Sequence, residues 1–378
     1  MLPVRRVIVA AVVGVALLVP AGASSHHLFN WLPPTQMPVG AGTSGVVTAD
    51  LDGNGHLDLA AVSSAEGSGS GNVAISFGNG SGSFTAFANV RTGGAPVDIA
   101  TGDLDEDGDI DLAVANSGTN DVTVLRNNGS GTFTVSATLA VAATPSELAI
   151  ETVDKGRAFD VVVISESGDS LIVWPGKNDG TFKPAISNTV SNPAALAVLD
   201  VNKDNMKDFV IASTDDDLVR VLLGDRAGHF AAGATYAASD PTSVFIATKM
   251  NKDNNRDLAY TEFGSNQVTF RLGAGDGTFG AATSFPVSSP SHVFVGDVSN
   301  THQDIVVTDQ GGNRVDVMLG YGNGTFDPPT HWPIGSGPLD IAVGNFDNTS
   351  AADMAIANNG SGDVSVMLNA TPLLYGDG

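Results

Sequence analysis

The feature that most restricts the fold of this 378-residue chain is a short motif that recurs every 47 to 53 residues. The motif is an aspartate followed by two apolar residues, and it stands where a strand begins after an acidic loop. It occurs at Asp58, Asp111, Asp160, Asp208, Asp257, Asp304 and Asp353. In six of the seven units a turn ending in phenylalanine follows, as in GNGSGSF (78–84) and GYGNGTF (320–326). A repeat of this length indicates a propeller, a solenoid or a similar array.

Each unit contains four short segments with strand character. In the second unit they are Val97–Gly102, Asp111–Ser117, Asp121–Asn127 and Phe133–Val141, with Gly, Asn, Ser and Thr in the breaks. No stretch has a helical period of useful length. Seven such units predict an all-β fold, a seven-bladed β-propeller of four-stranded antiparallel blades. Length alone favours two domains, but the repeat predicts one propeller over residues 24–371 and a C-terminal tail at 372–378.

The two ends of the chain predict how the ring closes. The seventh unit ends at DVSVMLNA (363–370) and lacks both the turn and a fourth strand. The segment FNWLPPTQMPVG (29–40) resembles FDPPTHWPIG (326–335), which follows the turn of unit six. We therefore expect the N-terminal segment to pair with Asp363–Leu368 and to complete the last blade, which removes two exposed sheet edges.

The acidic loops in front of the recurring aspartate have oxygen-bearing side chains at positions 1, 3, 5 and 9. Position 6 is Gly55, Gly108 or Asn205, residue types that tolerate a left-handed turn. Position 7 varies, as expected if its backbone carbonyl is the ligand. Oxygen ligands in a wrapping loop favour Ca²⁺ over Zn²⁺, and we predict about three calcium sites. Their candidate ligands are Asp50, Asp52, Asn54, His56 and Asp58 in unit one, Asp103, Asp105, Asp107, Asp109 and Asp111 in unit two, and Asp200, Asn202, Asp204, Met206 and Asp208 in unit four.

A solvated acidic hairpin held by Asx-turns is the alternative interpretation of these loops. Three matches in phase with the repeat favour the metal site. The remaining loops are poorer, and we expect at most two weak sites among them. Unit five has Lys249 at position 1, where its ammonium group could neutralise the site. Unit seven (345–353) has little charge, unit six (297–304) is one residue short, and unit three (151–160) is irregular.

The loops of the form D-x-[DN]-x-[DN]-[GN]-x-x-D and the G-x-G-x-F turns that follow them resemble FG-GAP/VCBS repeats, which are related to the integrin α-subunit propeller. The resemblance covers nearly all of residues 29–370. It implies a propeller that binds Ca²⁺ on its lower face, with metal roles for the matching positions in units one, two and four. The family includes adhesion proteins, lectins and propellers attached to hydrolases or lyases, so the resemblance leaves the function open.

The first 23 residues predict secretion. Arg5 and Arg6 precede an apolar run from Val7 to Val19, and cleavage is expected after Ala23. This run is too short for the ~20 residues of a membrane span, so we expect no membrane insertion. The chain has no cysteine, which excludes disulfides and thiol chemistry. Its net charge of −24 makes nucleic acid a poor partner.

The sequence contains no catalytic motif such as G-x-S-x-G or H-E-x-x-H. Trp31, Trp174 and Trp332 are expected to pack in the fold rather than to stack on sugars. Polar connections such as Ser117–Asn120 and Asn358–Gly362 face away from the metal loops; they turn the chain, and loops on a rigid scaffold also carry binding sites. We therefore predict a binding or adhesion module for an extracellular protein or glycan. A lectin with pockets between blades is the alternative, and a polysaccharide lyase or hydrolase is a third hypothesis.

Overall fold

The computed structural model describes residues 30–370 except residues 65–69, 155, 226 and 249. The predicted signal peptide, the C-terminal tail and Lys249 therefore lie outside the described residues. The described chain forms 28 strands in seven four-stranded antiparallel sheets. No helix that could cross a membrane occurs in this part of the chain. The predicted seven-bladed, all-β propeller is confirmed.

The strands are numbered along the chain and are grouped here by blade. Blade one has β2 Val46–Ala49, β3 Asp58–Ser64, β4 Gly71–Ser76 and β5 Ala88–Arg91; blade two has β6 Pro96–Gly102, β7 Asp111–Asn116, β8 Asp121–Arg126 and β9 Thr134–Ala140; blade three has β10 Glu147–Glu151, β11 Asp160–Ser165, β12 Ser170–Trp174 and β13 Ile186–Thr189; blade four has β14 Pro193–Leu199, β15 Asp208–Ser213, β16 Leu218–Gly224 and β17 Phe230–Ala237. Blade five has β18 Pro241–Thr248, β19 Arg256–Glu262, β20 Gln267–Gly273 and β21 Phe279–Pro286; blade six has β22 Pro290–Gly296, β23 Asp304–Asp309, β24 Arg314–Met318 and β25 Thr330–Pro333; blade seven has β26 Pro338–Gly344, β27 Asp353–Asn358, β28 Asp363–Met367 and, out of sequence, β1 Thr35–Pro38. In blade two each strand begins and ends within one residue of the position predicted from the sequence.

The N-terminal strand closes the ring as expected. β1 pairs with β28 in antiparallel register, from Thr35 opposite Val366 to Pro38 opposite Asp363. Trp31 is buried with 3% of its surface exposed, in the core between blades six and seven. Trp174 is also buried and Trp332 packs against the same core as Trp31, which confirms the packing role expected for the tryptophans.

The hydrophobic core lies between the blades rather than within one sheet. Each pair of neighbouring blades encloses one cluster of buried apolar side chains, seven clusters in all among the described residues. The second strand of each blade contributes to the clusters on both of its sides. Because these strands are buried on both faces, they consist of continuous apolar residues such as Val161, Val162 and Val163 rather than alternating apolar and polar residues.

The innermost strands of blades two, three and seven place acidic side chains at the central channel. Asp98, Glu147 and Asp340 each occupy the third position of such a strand or its equivalent. Each accepts a hydrogen bond from a backbone N–H of the next blade, at 2.8 Å from Leu148, 3.0 Å from Leu196 and 2.8 Å from Val46. These carboxylates therefore link neighbouring blades, and we call the three residues the axial carboxylates.

Burial of Asp98 and Glu147 makes the stability of the ring sensitive to pH. Burial, and secondarily the charge of Asp340, raises the pKa of Asp98 to about 7. Burial and the charges of Asp98 and Asp340 also raise the pKa of Glu147. His292 is the neighbouring base, with Nδ1 3.5 Å from Asp340 Oδ1. A folded pKa above the unfolded value means that the folded state binds the proton more tightly, so stability increases as the pH falls through 7 and towards 4.

We therefore expect the free energy of unfolding to be higher at pH 6 than at pH 8, by on the order of 1 kcal/mol from Asp98 alone. Denaturant-induced unfolding curves recorded at both pH values measure this difference. In a double variant, Asp98→Asn and Glu147→Gln, the difference should shrink. The exposed Asp215 provides the control, because Asp215→Asn removes a carboxylate without touching the channel. A double variant with the same pH dependence as the unaltered protein would contradict the prediction.

Candidate metal centres and the face that carries them

The predicted metal loops are the connections between the first and second strands of the blades. The three strongest candidates, residues 50–58, 103–111 and 200–208, lie in blades one, two and four. The turns between the third and fourth strands lie on the same face. They contact the neighbouring loops, because the N–H groups of Gly82, Gly277 and Gly324 donate to the carbonyls of Phe346, Val201 and Met250 at 2.8 to 3.2 Å. We call this face the metal-loop face.

The recurring aspartate at position 9 has a structural role in all seven blades. One of its oxygens accepts the N–H of position 2 of the loop, and the other accepts an N–H at the end of the third strand. In blade two, for example, Asp111 accepts from Leu104 at 3.1 Å and from Asn127 at 2.8 Å. The other six are Asp58, Asp160, Asp208, Asp257, Asp304 and Asp353.

Burial is the main cause of an unusual pKa at these seven positions. It raises the pKa of all of them, to about 6 for Asp111 and to about 7 for Asp304. Blades three and six keep the aspartate although their loops depart from the full ligand pattern, being irregular in blade three and one residue short in blade six. The residue is therefore needed to hold each loop against its blade whether or not a metal binds, a role that the sequence pattern alone did not separate from ligation.

The loop of blade one brings three carboxylates together. Oxygens of Asp50, Asp52 and Asp58 lie within 4.8 Å of one another, an arrangement that could hold a metal ion. Backbone donors fix the first two, since the N–H of Asn54 lies 3.1 Å from an oxygen of each. The Asn54 side chain accepts a hydrogen bond from the His56 backbone N–H, so His56 is attached to the loop through its backbone.

The loop of blade two contains a second such cluster, formed by Asp103, Asp105 and Asp111. Here the Oδ1 atoms of Asp103 and Asp105 are buried and have no hydrogen-bond partner among the described residues. Leaving a buried charged oxygen unpaired is costly. A hard cation would satisfy both atoms, so this donor set fits a metal. Asp107 accepts from the N–H of Asp109 at the rim of the loop.

The loop of blade four has the same backbone arrangement with fewer carboxylates. Asp200 accepts from the N–H groups of Lys203 and Asn205 at 2.6 and 2.9 Å, and Asp204 accepts from that of Met206 at 2.8 Å. Asn202 accepts from the Asp204 N–H and donates to its side chain. Hydrogen bonds thus link Asp200, Asn202 and Asp204, with an amide in place of one acid, but the carboxylates of this loop do not converge as closely as those of blades one and two.

A basic side chain reaches the blade-two loop from elsewhere in the fold. Arg126, at the end of β8, places Nε 2.8 Å from Asp105 Oδ2 and donates through Nη2 to the Asp179 carbonyl of blade three. In the sequence Arg126 lies well outside the acidic stretch. At the equivalent position blades four to seven have leucine, namely Leu223, Leu272, Leu319 and Leu368. Arg126 therefore partly neutralises one metal loop and binds it to the next blade.

A cleft opens on the metal-loop face between blades three and four. Its volume is about 730 Å³, within the range of small-molecule sites. A second cleft of about 420 Å³ lies on the opposite face, where Pro38–Gly42 meets Asn359–Gly362 beside the ring closure. The larger of these two clefts is thus not on the face that the sequence favoured for binding.

Comparison with known families identifies the repeat. Residues 50–114 and 103–155 match the FG-GAP-like repeat, and these segments contain the metal loops of blades one and two. Together with the seven blades, the matches support an FG-GAP repeat β-propeller. No curated protein sequence matches the chain significantly.

Solved structures resemble the chain in fold. A virginiamycin B lyase from Staphylococcus aureus superimposes with a TM-score of 0.56 at 13% identity, covering 90% of this chain and 99% of the lyase. A protein from Lactobacillus plantarum gives 0.62 at 12% identity, covering 80% and 88%. A periplasmic gluconolactonase from Pseudomonas aeruginosa gives 0.60 at 14% identity, covering 79% and 86%. At such identities the similarity is one of fold alone.

Proposed function

Because this chain is an FG-GAP repeat β-propeller, we propose that it is a secreted, calcium-stabilised module that binds an extracellular protein or glycan. Calcium binds in the loops of blades one, two and four, and the closed ring holds a ligand-binding surface. The cleft of about 730 Å³ between blades three and four is the observation on which ligand binding depends. Secretion is proposed from residues 1–23 alone.

Calcium binding is supported by the two acidic clusters. The unpartnered Oδ1 atoms of Asp103 and Asp105 are its strongest support. The donor set consists of carboxylate, amide and carbonyl oxygens, which hard cations prefer. Within such a site Asp103 and Asp105 supply charge, and Asp111 keeps the loop in place through its backbone hydrogen bonds.

Arg126 should weaken calcium binding in blade two, because it places a positive charge 2.8 Å from an oxygen of Asp105. We expect Arg126→Leu, which introduces the side chain present in blades four to seven, to tighten the blade-two site about tenfold. Calorimetric titration with calcium measures the change. Arg91→Leu, on the exposed outer strand of blade one, controls for the loss of a positive charge. Unchanged or weaker binding in Arg126→Leu would show that the arginine does not compete with the metal.

Ligand binding is tested with calcium-loaded protein on a glycan array and on immobilised extracellular-matrix proteins. We expect retention of one ligand class, with loss of binding when calcium is chelated at a temperature where the protein stays folded. Neither hypothesis of binding survives if no glycan or protein is retained. A lectin is distinguished from a protein-binding module by which of the two surfaces retains it.

Because a lyase and a lactonase are among the structural neighbours, the polysaccharides of the binding screen should also be tested for cleavage. Their fold is shared, whereas their activities belong to those proteins. Release of unsaturated or reducing ends from a polysaccharide would favour an enzyme over a binding module.

A further inference from the structure

Basic residues are distributed unequally among the loops of the metal-loop face. The connections between the first and second strands contain seven Lys and Arg residues, all of them in blades three, four and five, in the segments 151–160, 200–208 and 249–257. The equivalent segments of blades one, two, six and seven contain none, and 103–111 alone contains six acidic residues. In a chain with 41 acidic and 17 basic residues, this distribution concentrates the basic side chains of these loops on one side of the metal-loop face.

We call the part of the metal-loop face formed by the segments 151–160, 200–208 and 249–257 the basic sector, and the 730 Å³ cleft lies within it. The loop of blade three supplies Thr152 to Arg157 along one wall, apart from the undescribed residue 155. The loop of blade four supplies the opposite wall with Asp200 and Lys207, and Arg256 enters from blade five. Three adjacent blades thus contribute one cationic side chain each.

Most of the neighbouring cations are already engaged. Lys207 Nζ lies 2.9 Å from a carboxylate oxygen of Glu151, and Lys183 Nζ lies 3.0 Å from one of Asp154. Lys203 Nζ donates to the side-chain oxygen of Asn255. The guanidinium groups of Arg157 and Arg256 differ, since neither forms an ion pair or hydrogen bond with the described residues.

We propose that this cleft binds the uronate units of an acidic polysaccharide, with Arg157 and Arg256 holding a sugar carboxylate. The inference rests on the proposed binding function and names its ligand and its site. A guanidinium presents a planar pair of donors that matches a carboxylate. Arg157 is exposed and Arg256 is half-buried, and both line the cleft.

The acidic residues of the cleft favour a uronate over a simple oxyanion. Asp154 and Asp225 line the same walls, beside Asp200, which is a proposed calcium ligand of the blade-four loop. Carboxylates accept hydrogen bonds from hydroxyl groups but repel a sulfate or phosphate that offers no donor. A uronate carries both an anionic group for the arginines and hydroxyls for the aspartates. The mixture of charges in the cleft therefore matches a hydroxylated anion.

The test is calorimetric titration with the trimer of galacturonic acid and with a neutral glucose trimer, at one fixed calcium concentration. We expect the uronate trimer to bind and the neutral trimer not to bind. Arg157→Gln and Arg256→Gln should each weaken binding at least about tenfold. Arg157→Lys should restore part of the loss, since it retains the charge without the fork. Arg91→Gln, matched in charge but on the outer strand of blade one, should bind like the unaltered protein.

Equal binding of both trimers, or unchanged affinity in Arg157→Gln and Arg256→Gln proteins that melt normally, would overturn the uronate site. If other glycans or proteins are retained in the screen above while the uronate trimer is not, this inference fails and the proposed function stands. If nothing is retained in either experiment, both fail.

Discussion

A chain that begins at Val39 is expected not to give a folded, soluble monomer, whereas a chain that begins at Ser24 is expected to do so. The truncation removes β1, the outer strand of blade seven, and with it Trp31. The Leu32 N–H also donates to the Leu368 carbonyl, and the Ala370 N–H donates to the Asn30 carbonyl. The ring would then lack the segment that joins its two ends.

The expected loss exceeds what a protein of this kind tolerates. Removing a buried Trp side chain costs about 3–5 kcal/mol, and each lost backbone hydrogen bond costs about 1 kcal/mol more. Domains are typically stable by only about 5–15 kcal/mol. The truncation also exposes the edge of β28, whose residues Val364 and Val366 are buried, so the partly folded chain should associate through this edge.

Size-exclusion chromatography and circular dichroism measure the outcome. Addition of a synthetic peptide spanning residues 24–38 should restore part of the folded monomer, because the strand is supplied from outside. A truncated chain that elutes as a monomer and melts within a few degrees of the longer one would show that β1 does not stabilise the ring.

Removal of calcium is expected to lower the melting temperature strongly. At a calcium concentration one hundred times Kd, each occupied site stabilises the folded state by about 2.7 kcal/mol. Three sites would together contribute several kcal/mol, and chelation removes this contribution while leaving the carboxylates to repel one another. Extracellular modules commonly bind with Kd of ~10⁻⁴–10⁻³ M, so the titration should extend into the millimolar range.

One substitution separates the metal from general electrostatics. Asp103 has one unpartnered buried oxygen, and its other oxygen accepts the Gly108 N–H. We expect the Asp103→Asn protein to be more stable than the unaltered protein in chelator, because one of the mutually repelling carboxylates is gone. In calcium we expect it to be less stable, because one charged calcium ligand is gone. Asp215→Asn should show no such reversal. If chelation leaves the melting temperature unchanged and calorimetry detects no calcium uptake, the calcium proposal is wrong.

The sequence was sufficient for the features that repeat locally. Each blade is built from hairpins whose strand and turn residues lie within about 50 positions, so their period predicted the blades and, within a residue, the strands of blade two. The metal loops are also local, since the nine residues from Asp103 to Asp111 contain all the side chains of one cluster. Ring closure was predictable because residues 29–40 repeat the pattern of a fourth strand.

The sequence did not predict contacts between blades, although the uneven distribution of Lys and Arg among the loops was a signal that could have located the basic sector. Arg126 of blade two, for example, donates to the Asp179 carbonyl of blade three. The axial carboxylates Asp98 and Asp340 lie far apart in the chain and influence each other across the channel.

By itself, then, the amino-acid sequence determined the repeating sheets, their number and the acidity of their connecting loops, because short-range hydrogen bonding and apolar patterning fix these. Only the tertiary structure decided which charges face each other at the channel, in the metal loops and in the cleft beside Arg157 and Arg256. The physical reason is that closing the ring sets the distances between side chains of different blades, and electrostatic energies depend on those distances.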